Sequence, residues 1–330
     1  MKMDRNIYIL SSGRLKRKDN TIYFENEDGV KRPIPIELTN SIHFFGSVDF
    51  NTSLLHLLSQ YQICFHVYNY YGFYDGTFSP RKSKISGHSV VQQCAHVLDA
   101  NKRMYLARSF VEAGIHHMIR NLRKSNHPEV TTYVNTLESL ALNMHEASDI
   151  PALMGVEGSC RKVYYKAYGR LIKNGMVFED RNKQPPLDPV NAMISFGNSL
   201  MYTTILSEIY KTVLDPSVSF LHEPSRKRFS LCLDIAEIFK PLIVDPLVLA
   251  LLNNKRIKWE HFESKDGAVY LNDEGKRKYL DAYEEKLNTT IKHRRLKRNV
   301  SYRYLIRLEA YKLIKHFIGD EIYKPVKAWW

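Results

Sequence analysis

Apolar and polar positions follow two different rhythms along the chain, and the change between them divides it. Residues 1 to about 86 read as β structure. NIYILSSGRLKRKDNTIYFEN holds two β-rich runs separated by Gly13 and by Asp19-Asn20. IPIELTNSIHFFG and ICFHVYNYYGFYDGTF continue the pattern, with turn signals at Asn69, Gly72 and Gly76. Between them SLLHLLSQY has helical spacing. After Ser79-Pro80 and Ser86-Gly87 the period lengthens. Val91, Cys94, Val97 and Leu98, then Leu106, Phe110 and Val111, recur at helical steps, and helices are predicted from there to the end. One helix start is clear: in QPPLDPVNAMISFGNSLMY, Asp188 is a good N-cap and Pro189 suits the first helical position. That helix is predicted from about Val190 toward Leu214, where Asp215-Pro216 ends it. The expected fold is α+β, with an N-terminal β-rich domain over residues 1–86 and a larger all-α-helical domain over 87–330.

Two helices carry carboxylates where the pattern calls for apolar side chains. Leu153, Val156, Cys160, Tyr164, Ala167, Tyr168 and Leu171 form one apolar helix face, and Glu157 falls inside it between Gly155 and Gly158. In FSLCLDIAEIFKPLIVD the apolar residues cover almost the whole circumference, except for a narrow stripe of Ser230, Asp234 and Glu237. A helix apolar nearly all round is buried, so this stripe should line a cleft. His222 precedes it in a loop bounded by Pro216 and Pro224. Singly, each feature has a plain explanation: Glu157 pairs with Arg161, Asp234 and Glu237 face solvent beside Lys240, and His222 is a surface histidine. Together they fit one site, because two carboxylate stripes on separate helices repel unless a cation lies between them. One imidazole with several carboxylates suits Mg²⁺ or Mn²⁺.

Charge sharpens this picture. Of the net +13, the stretch from Lys276 to Trp330 contributes +9, from 15 Lys and Arg against 6 Asp and Glu. A basic surplus so concentrated suggests a polyanionic partner, either nucleic acid or acidic membrane, and the cluster at Lys292, Arg294, Arg295, Lys297 and Arg298 is expected to give sequence-independent affinity. A divalent ion in a basic protein most naturally serves phosphoryl chemistry. The four cysteines are scattered with no CxxC pair, which argues for a reducing compartment and against a zinc ribbon. MKMDRNIYIL lacks the apolar region of a signal peptide, and PLIVDPLVLALL is too short to span a bilayer. A cytoplasmic protein with no membrane partner is expected.

With these residues in view, the chain resembles the CRISPR-associated adaptation endonuclease and integrase family, Cas one. The resemblance runs through SSGRLKRKDNTI, IPIELTNSIHFFGSVDFN, GVEGSCRKVYY, PPLDPVNAMISFGNSLMY and FLHEPSRKRFSLCLDIAEIFKPLIVD. It implies a homodimer formed largely through the β domains. It also implies a metal site in which Glu157, His222 and the pair Asp234 and Glu237 match the family's motif residues. The last position is often aspartate in relatives, and Glu237 keeps its charge while reaching one methylene further. On this reading Glu157, His222 and Glu237 hold the ion, and Asp234 is a further ligand or a base behind them. Arg161, Lys227 and Arg228 would help hold the phosphate backbone. The implied activity joins short double-stranded DNA fragments into a CRISPR repeat array, through attack of a 3′-hydroxyl on a phosphodiester, with a small ferredoxin-like partner, Cas two. Two other readings stay open: a stand-alone metal-dependent nuclease for branched repair DNA, and a non-catalytic DNA-binding scaffold.

Overall fold

The computed structural model describes residues 5–82, 84–173, 175–224 and 228–330. Strands fill its N-terminal part: β1 (Arg5–Ile9), β2 (Gly13–Lys18), β3 (Thr21–Asn26), β4 (Lys31–Ile34), β5 (Thr39–Phe44), β6 (Val48–Asp49), β7 (Cys64–Tyr68) and β8 (Tyr74–Phe78), with helix α1 (Thr52–Gln60) before β7. They make two four-stranded sheets, ordered β1-β5-β7-β8 and β4-β3-β2-β6. The Asp19-Asn20 turn closes the β2–β3 hairpin, with Asp19 in the left-handed region at φ 55° that an aspartate tolerates. Ile9, Ile42, Phe44 and Phe65 of the first sheet meet Leu15, Ile22 and Phe24 of the second and Leu54, Leu57 and Leu58 of α1 in one apolar core.

The remainder is mainly helical: α2 (Gly87–Leu98), α3 (Ala100–Lys124), α4 (Thr131–Leu142), α5 (Ile150–Gly169), α6 (Pro189–Tyr210), α7 (Ser230–Phe239) and α8 (Asp245–Asn253). Hairpin β9 (Phe262–Lys265) and β10 (Ala268–Leu271), α9 (Asp273–Asn288), hairpin β11 (Thr290–Lys292) and β12 (Asn299–Ser301), and α10 (Tyr302–Phe317) complete it. The two hairpins correct the expectation of an all-helical second domain. They are three or four residues per strand, and FESK and TIK have too little alternation to signal a strand. Helix α6 begins as its sequence requires, Asp188 accepting from the Asn191 N–H at 2.8 Å, and is buried along most of its length. It ends at Tyr210, short of Leu214.

Strand β5 is buried on both faces, as all six of its residues show. One face joins the apolar core, and the other meets the helices through polar groups. His66 Nε2 lies 2.7 Å from Ser207 Oγ, Tyr68 Oη 2.6 Å from Thr203 Oγ1, and His43 Nδ1 2.8 Å from Tyr68 Oη. Arg303 donates to Asn6 and to Glu284, and Arg307 Nε pairs with Glu208 at 2.6 Å. Burial keeps both His43 and His66 well below the ordinary histidine range, His66 at about 3, so the seam is neutral at those rings.

Helix α2 overturns one reading of the pattern. Ser89, Gln93 and His96 face inward, while Val91 and Leu98 point to solvent at 63% and 86% exposure. Gln93 explains the inversion, since its amide donates to the Asp215 and Val218 carbonyls at 2.9 and 2.8 Å and accepts from the Asp215 N–H.

Helix α3 crosses α7 at Gly114, where a Cβ would lie 2.8 Å from the Glu237 carbonyl oxygen. Gly114→Ala gains about 1 kcal/mol of helix propensity, yet contact with a backbone atom forces the helices apart at roughly 1–3 kcal/mol. Denaturant unfolding should show a net loss of stability, and an unchanged midpoint would mean that the two helices separate freely.

Candidate active site

Glu157 and Glu237 come from helices far apart in sequence and meet on one cation. Asp149 caps α5, accepting from the Ala152 N–H at 2.8 Å, and the helix runs through Gly155 and Gly158 unbroken, both with open space beside them. Glu157 and Arg161 stand one turn apart on it, with Arg161 Nε donating to Glu157 Oε1 at 2.6 Å. The same guanidinium reaches across to α7, its Nη2 bonding both Glu157 Oε1 and Glu237 Oε2. Lys240 Nζ takes the other oxygen of Glu237 at 3.0 Å. The local pairs that explain each carboxylate singly are therefore formed, but they join into one cluster. Side-chain exposures of 18% for Glu157, 17% for Arg161 and 8% for Glu237 make this a shielded group rather than a surface ion pair.

Electrostatics decides its charge state. Burial pushes the Glu237 carboxyl up, but Arg161, Lys240 and His222 outweigh it and hold the group at about 2. Burial would lower the Arg161 guanidinium, and Glu237 and Glu157 keep it well above its ordinary value. Both remain ionised near neutral pH.

Asp234 has different work. It is fully buried, its Oδ2 accepts from the Phe220 and Leu221 N–H groups at 2.7 and 3.0 Å, and its Oδ1 accepts from the His222 N–H at 2.9 Å and lies 2.8 Å from His222 Nδ1. Four partners leave no oxygen for a cation. A carboxylate only accepts, so Nδ1 carries the ring proton and Nε2 is the nitrogen with a free lone pair. That arrangement, a carboxylate behind a histidine, is the usual support of a metal-binding imidazole. Arg103 fixes the same loop from α3, through the Phe220 carbonyl at 2.9 Å and Glu223 at 2.7 Å.

Among the described residues no three His, Cys, Asp or Glu side chains converge into a ready-made metal cage. Arg161 stands where Glu157 and Glu237 come together, and His222 is held at Asp234. Two carboxylates already sharing a cationic group, with an imidazole oriented by Asp234 from the same helix as Glu237, still form a donor set suited to Mg²⁺ or Mn²⁺. The sequence pattern missed two cations in the loop before α6. Arg181 donates to Asn191 and Ser195 at 2.8 and 3.0 Å. Lys183 is pushed down by burial, then by Lys240, Arg161 and Arg181. An ammonium crowded by like charges marks a place that favours an anion.

The other basic candidates lie elsewhere. Arg228 is exposed, and Lys227 lies outside the described residues. Arg294, Arg295 and Arg298 occupy the exposed turn between β11 and β12, where Arg294 stacks on Trp329 at 4.9 Å, Arg298 lies over Tyr304 at 5.4 Å, and Arg295 forks onto Glu321.

The acid limb of stability tests the cluster. Glu237 falls from an ordinary value of 4.5 to about 2 on folding, so its contribution is complete above pH 4.5 and fades as pH drops toward 2. Thermal melts of the metal-free protein should lose stability across that window, and Glu237→Gln should flatten the loss. Identical acid limbs would assign it to other groups.

Comparison with known proteins gives the family and the fold. The family model described as CRISPR associated protein Cas1 matches residues 7–285. A CRISPR-associated endonuclease Cas1 from Thermodesulfovibrio yellowstonii is 52% identical over 326 residues, covering 99% of this chain and 100% of that relative. The solved structure of a Cas1 protein from Thermotoga maritima is 41% identical with a TM-score of 0.89, covering 98% of this chain and 100% of that one. Two more distant structures share the fold at 18% identity. One is a casposase bound to integration product, with a TM-score of 0.88 over 97% of this chain and 92% of that one. The other is a chain of a Cas6-RT-Cas1–Cas2 complex, with a TM-score of 0.85 over 99% of this chain and 37% of that one. The chain belongs to the Cas1 family of CRISPR-associated proteins.

Proposed function

We propose that this Cas1 protein is a divalent-metal-dependent DNA endonuclease and integrase that inserts short double-stranded fragments into a CRISPR repeat array. The observation that carries the reading is the pair of shielded carboxylates, Glu157 and Glu237, sharing one guanidinium nitrogen, with His222 oriented by Asp234 three residues before Glu237 on the same helix. Glu157, Glu237 and Nε2 of His222 would hold the ion. A bound Mg²⁺ or Mn²⁺ would polarise the attacked phosphate and make a DNA 3′-hydroxyl or a water a better nucleophile.

The chain's own residues supply the rest. Asp234 holds a proton on His222 Nδ1, so in the neutral imidazole the lone pair is at Nε2. Arg161 bridges both carboxylates and Lys240 supplies the second positive charge, so Arg161 would be freed to meet a phosphate oxygen once the pair is neutralised otherwise. Lys240, Arg181 and Lys183 give the mouth of the site the positive charge a phosphodiester needs. The bare backbone at Gly155 and Gly158 lets DNA approach closely. In the joining reaction the attacking oxygen forms a bond to phosphorus, the target strand's bridging oxygen leaves with the proton, and phosphodiester number is conserved.

Partnership follows the same reading. The chain would act as a homodimer on fragment and repeat DNA together with the small ferredoxin-like Cas2, a pairing supported by the Cas1–Cas2 complex that shares its fold. None of the described helices is long and apolar enough to cross a membrane, and we place its work in the cytoplasm.

An integration assay on repeat DNA, with and without Cas2, tests the whole proposal. Joining that needs Cas2 and Mn²⁺ is expected. Cleavage of branched DNA without joining favours the stand-alone nuclease, and neither activity with intact DNA binding favours the scaffold. Glu157→Gln, His222→Ala and Glu237→Ala should each abolish joining and the rise in melting temperature caused by Mn²⁺. Equal metal-induced stabilisation in Glu157→Gln and wild type would leave Glu157 as the partner of Arg161 alone.

The β11–β12 turn gives a separate prediction. Neutralising Arg294 and Arg298 should weaken binding to all DNA and flatten its salt dependence by up to about one unit per lost contact. Arg295, already engaged by Glu321, should contribute less. An unchanged slope would return the cluster to an ordinary solvated surface.

A further inference from the structure

The helix that carries Glu237 does not end cleanly. Helix α7 passes into a widened π turn at Lys240–Val244, and Pro241 within it has no N–H to return to the Glu237 carbonyl one α-turn back. A face of α3 closes on that turn. Gly114 admits the Glu237 carbonyl, His117 Nδ1 lies 3.0 Å from the Ile238 carbonyl oxygen, and Asn121 Nδ2 donates to the Pro241 carbonyl at 2.6 Å. These three residues sit at helical spacing, so one face of one helix grips the backbone from the Glu237 carbonyl through the turn that follows it.

The second nitrogen of His117 looks the opposite way. The Ala328 N–H donates to Nε2 at 3.0 Å, from an extended segment that follows α10. That segment is strapped down: Tyr323 Oη donates to Glu309 at 2.6 Å, the Val326 N–H donates to the same carboxylate oxygen at 3.3 Å, and Tyr105 Oη donates to the Tyr323 carbonyl at 2.7 Å. A backbone N–H can only donate, so Nε2 is bare and the proton resides on Nδ1, aimed at Ile238. The ring is 1% exposed, and burial pushes it down to about 3, so it stays neutral and keeps both bonds across physiological pH.

We propose that His117 is a positioning residue, a neutral strut between the C-terminal strap and the turn of α7 bearing Glu237, through which docking of the strap sets where that carboxylate stands. The inference rests on Glu237 being a metal ligand. Its claim is that a residue which touches neither metal nor DNA governs metal affinity.

Calorimetric titration of Mn²⁺ into metal-free protein, without DNA, tests this. Wild type should bind, and Glu237→Ala should lose binding. His117→Phe fills the space but bonds neither partner, and it should weaken Mn²⁺ affinity at least about tenfold while circular dichroism and the metal-free melt show a folded protein. His117→Gln can still donate to Ile238 and accept from Ala328, and it should return affinity close to wild type. Ala328→Pro removes only the strap's N–H and should give an intermediate loss. Wild-type affinity in His117→Phe overturns the proposal, as does a His117→Gln as weak as His117→Phe. If His117→Phe does not fold, Ala328→Pro decides, and undiminished affinity there overturns the strut. A wild-type protein that binds no Mn²⁺ instead overturns the metal site itself, and the strut's role with it.

Discussion

Two carboxylates facing each other across a shielded gap cannot both stay ionised without a cation between them, and the candidate site is arranged around that constraint. Arg161 answers it by bonding Glu157 and Glu237 through one nitrogen, and Lys240 takes up the other oxygen of Glu237. The answer is provisional in a useful sense. A guanidinium is a large cation on a flexible stem, so together with Lys240 it balances the pair without fixing a tight octahedral geometry. Asp234, three residues before Glu237 on the same helix, escapes the problem because backbone N–H groups and an imidazole absorb its charge. Adjacent carboxylates on one helix thus have separate duties, set by what surrounds each.

The fold class was legible because period is a strong signal over long elements. The alternating runs before residue 79, the 3.6-residue spacing of α5 and the narrow polar stripe on α7 come directly from which side chains must avoid water. Asp188 and Pro189 fixed a helix start because capping is local chemistry. Helix α2 misled for the converse reason: Gln93 is drawn inward by carbonyls more than 120 positions away, which no local period records. The short hairpins escaped because two or three apolar residues cannot establish an alternation.

The candidate site was legible in its carboxylates and illegible in its cations. Glu157, Asp234 and Glu237 are conspicuous because each breaks an apolar pattern. Arg161 was visible as the partner of Glu157, but its reach to Glu237, 76 residues on, depends on how α5 packs near α7. Arg181 and Lys183 lie in an irregular loop with no period to violate, and Arg103 acts on the His222 loop from a helix 117 residues earlier. The partners of Asp234 are mostly backbone N–H groups, which every residue has and no sequence advertises.

The seam between the first sheet and α6 has a mechanical consequence. Contacts between oily surfaces can slide by a fraction of an ångström at little cost. Bonds of 2.6 to 2.8 Å between His43, Tyr68, Thr203, His66 and Ser207 cannot, because they fail steeply with distance and angle. The seam is therefore a lock, not a bearing. The sheet and the central helix should travel as a single rigid body, so that a rearrangement elsewhere in the molecule leaves the placement of one on the other unchanged.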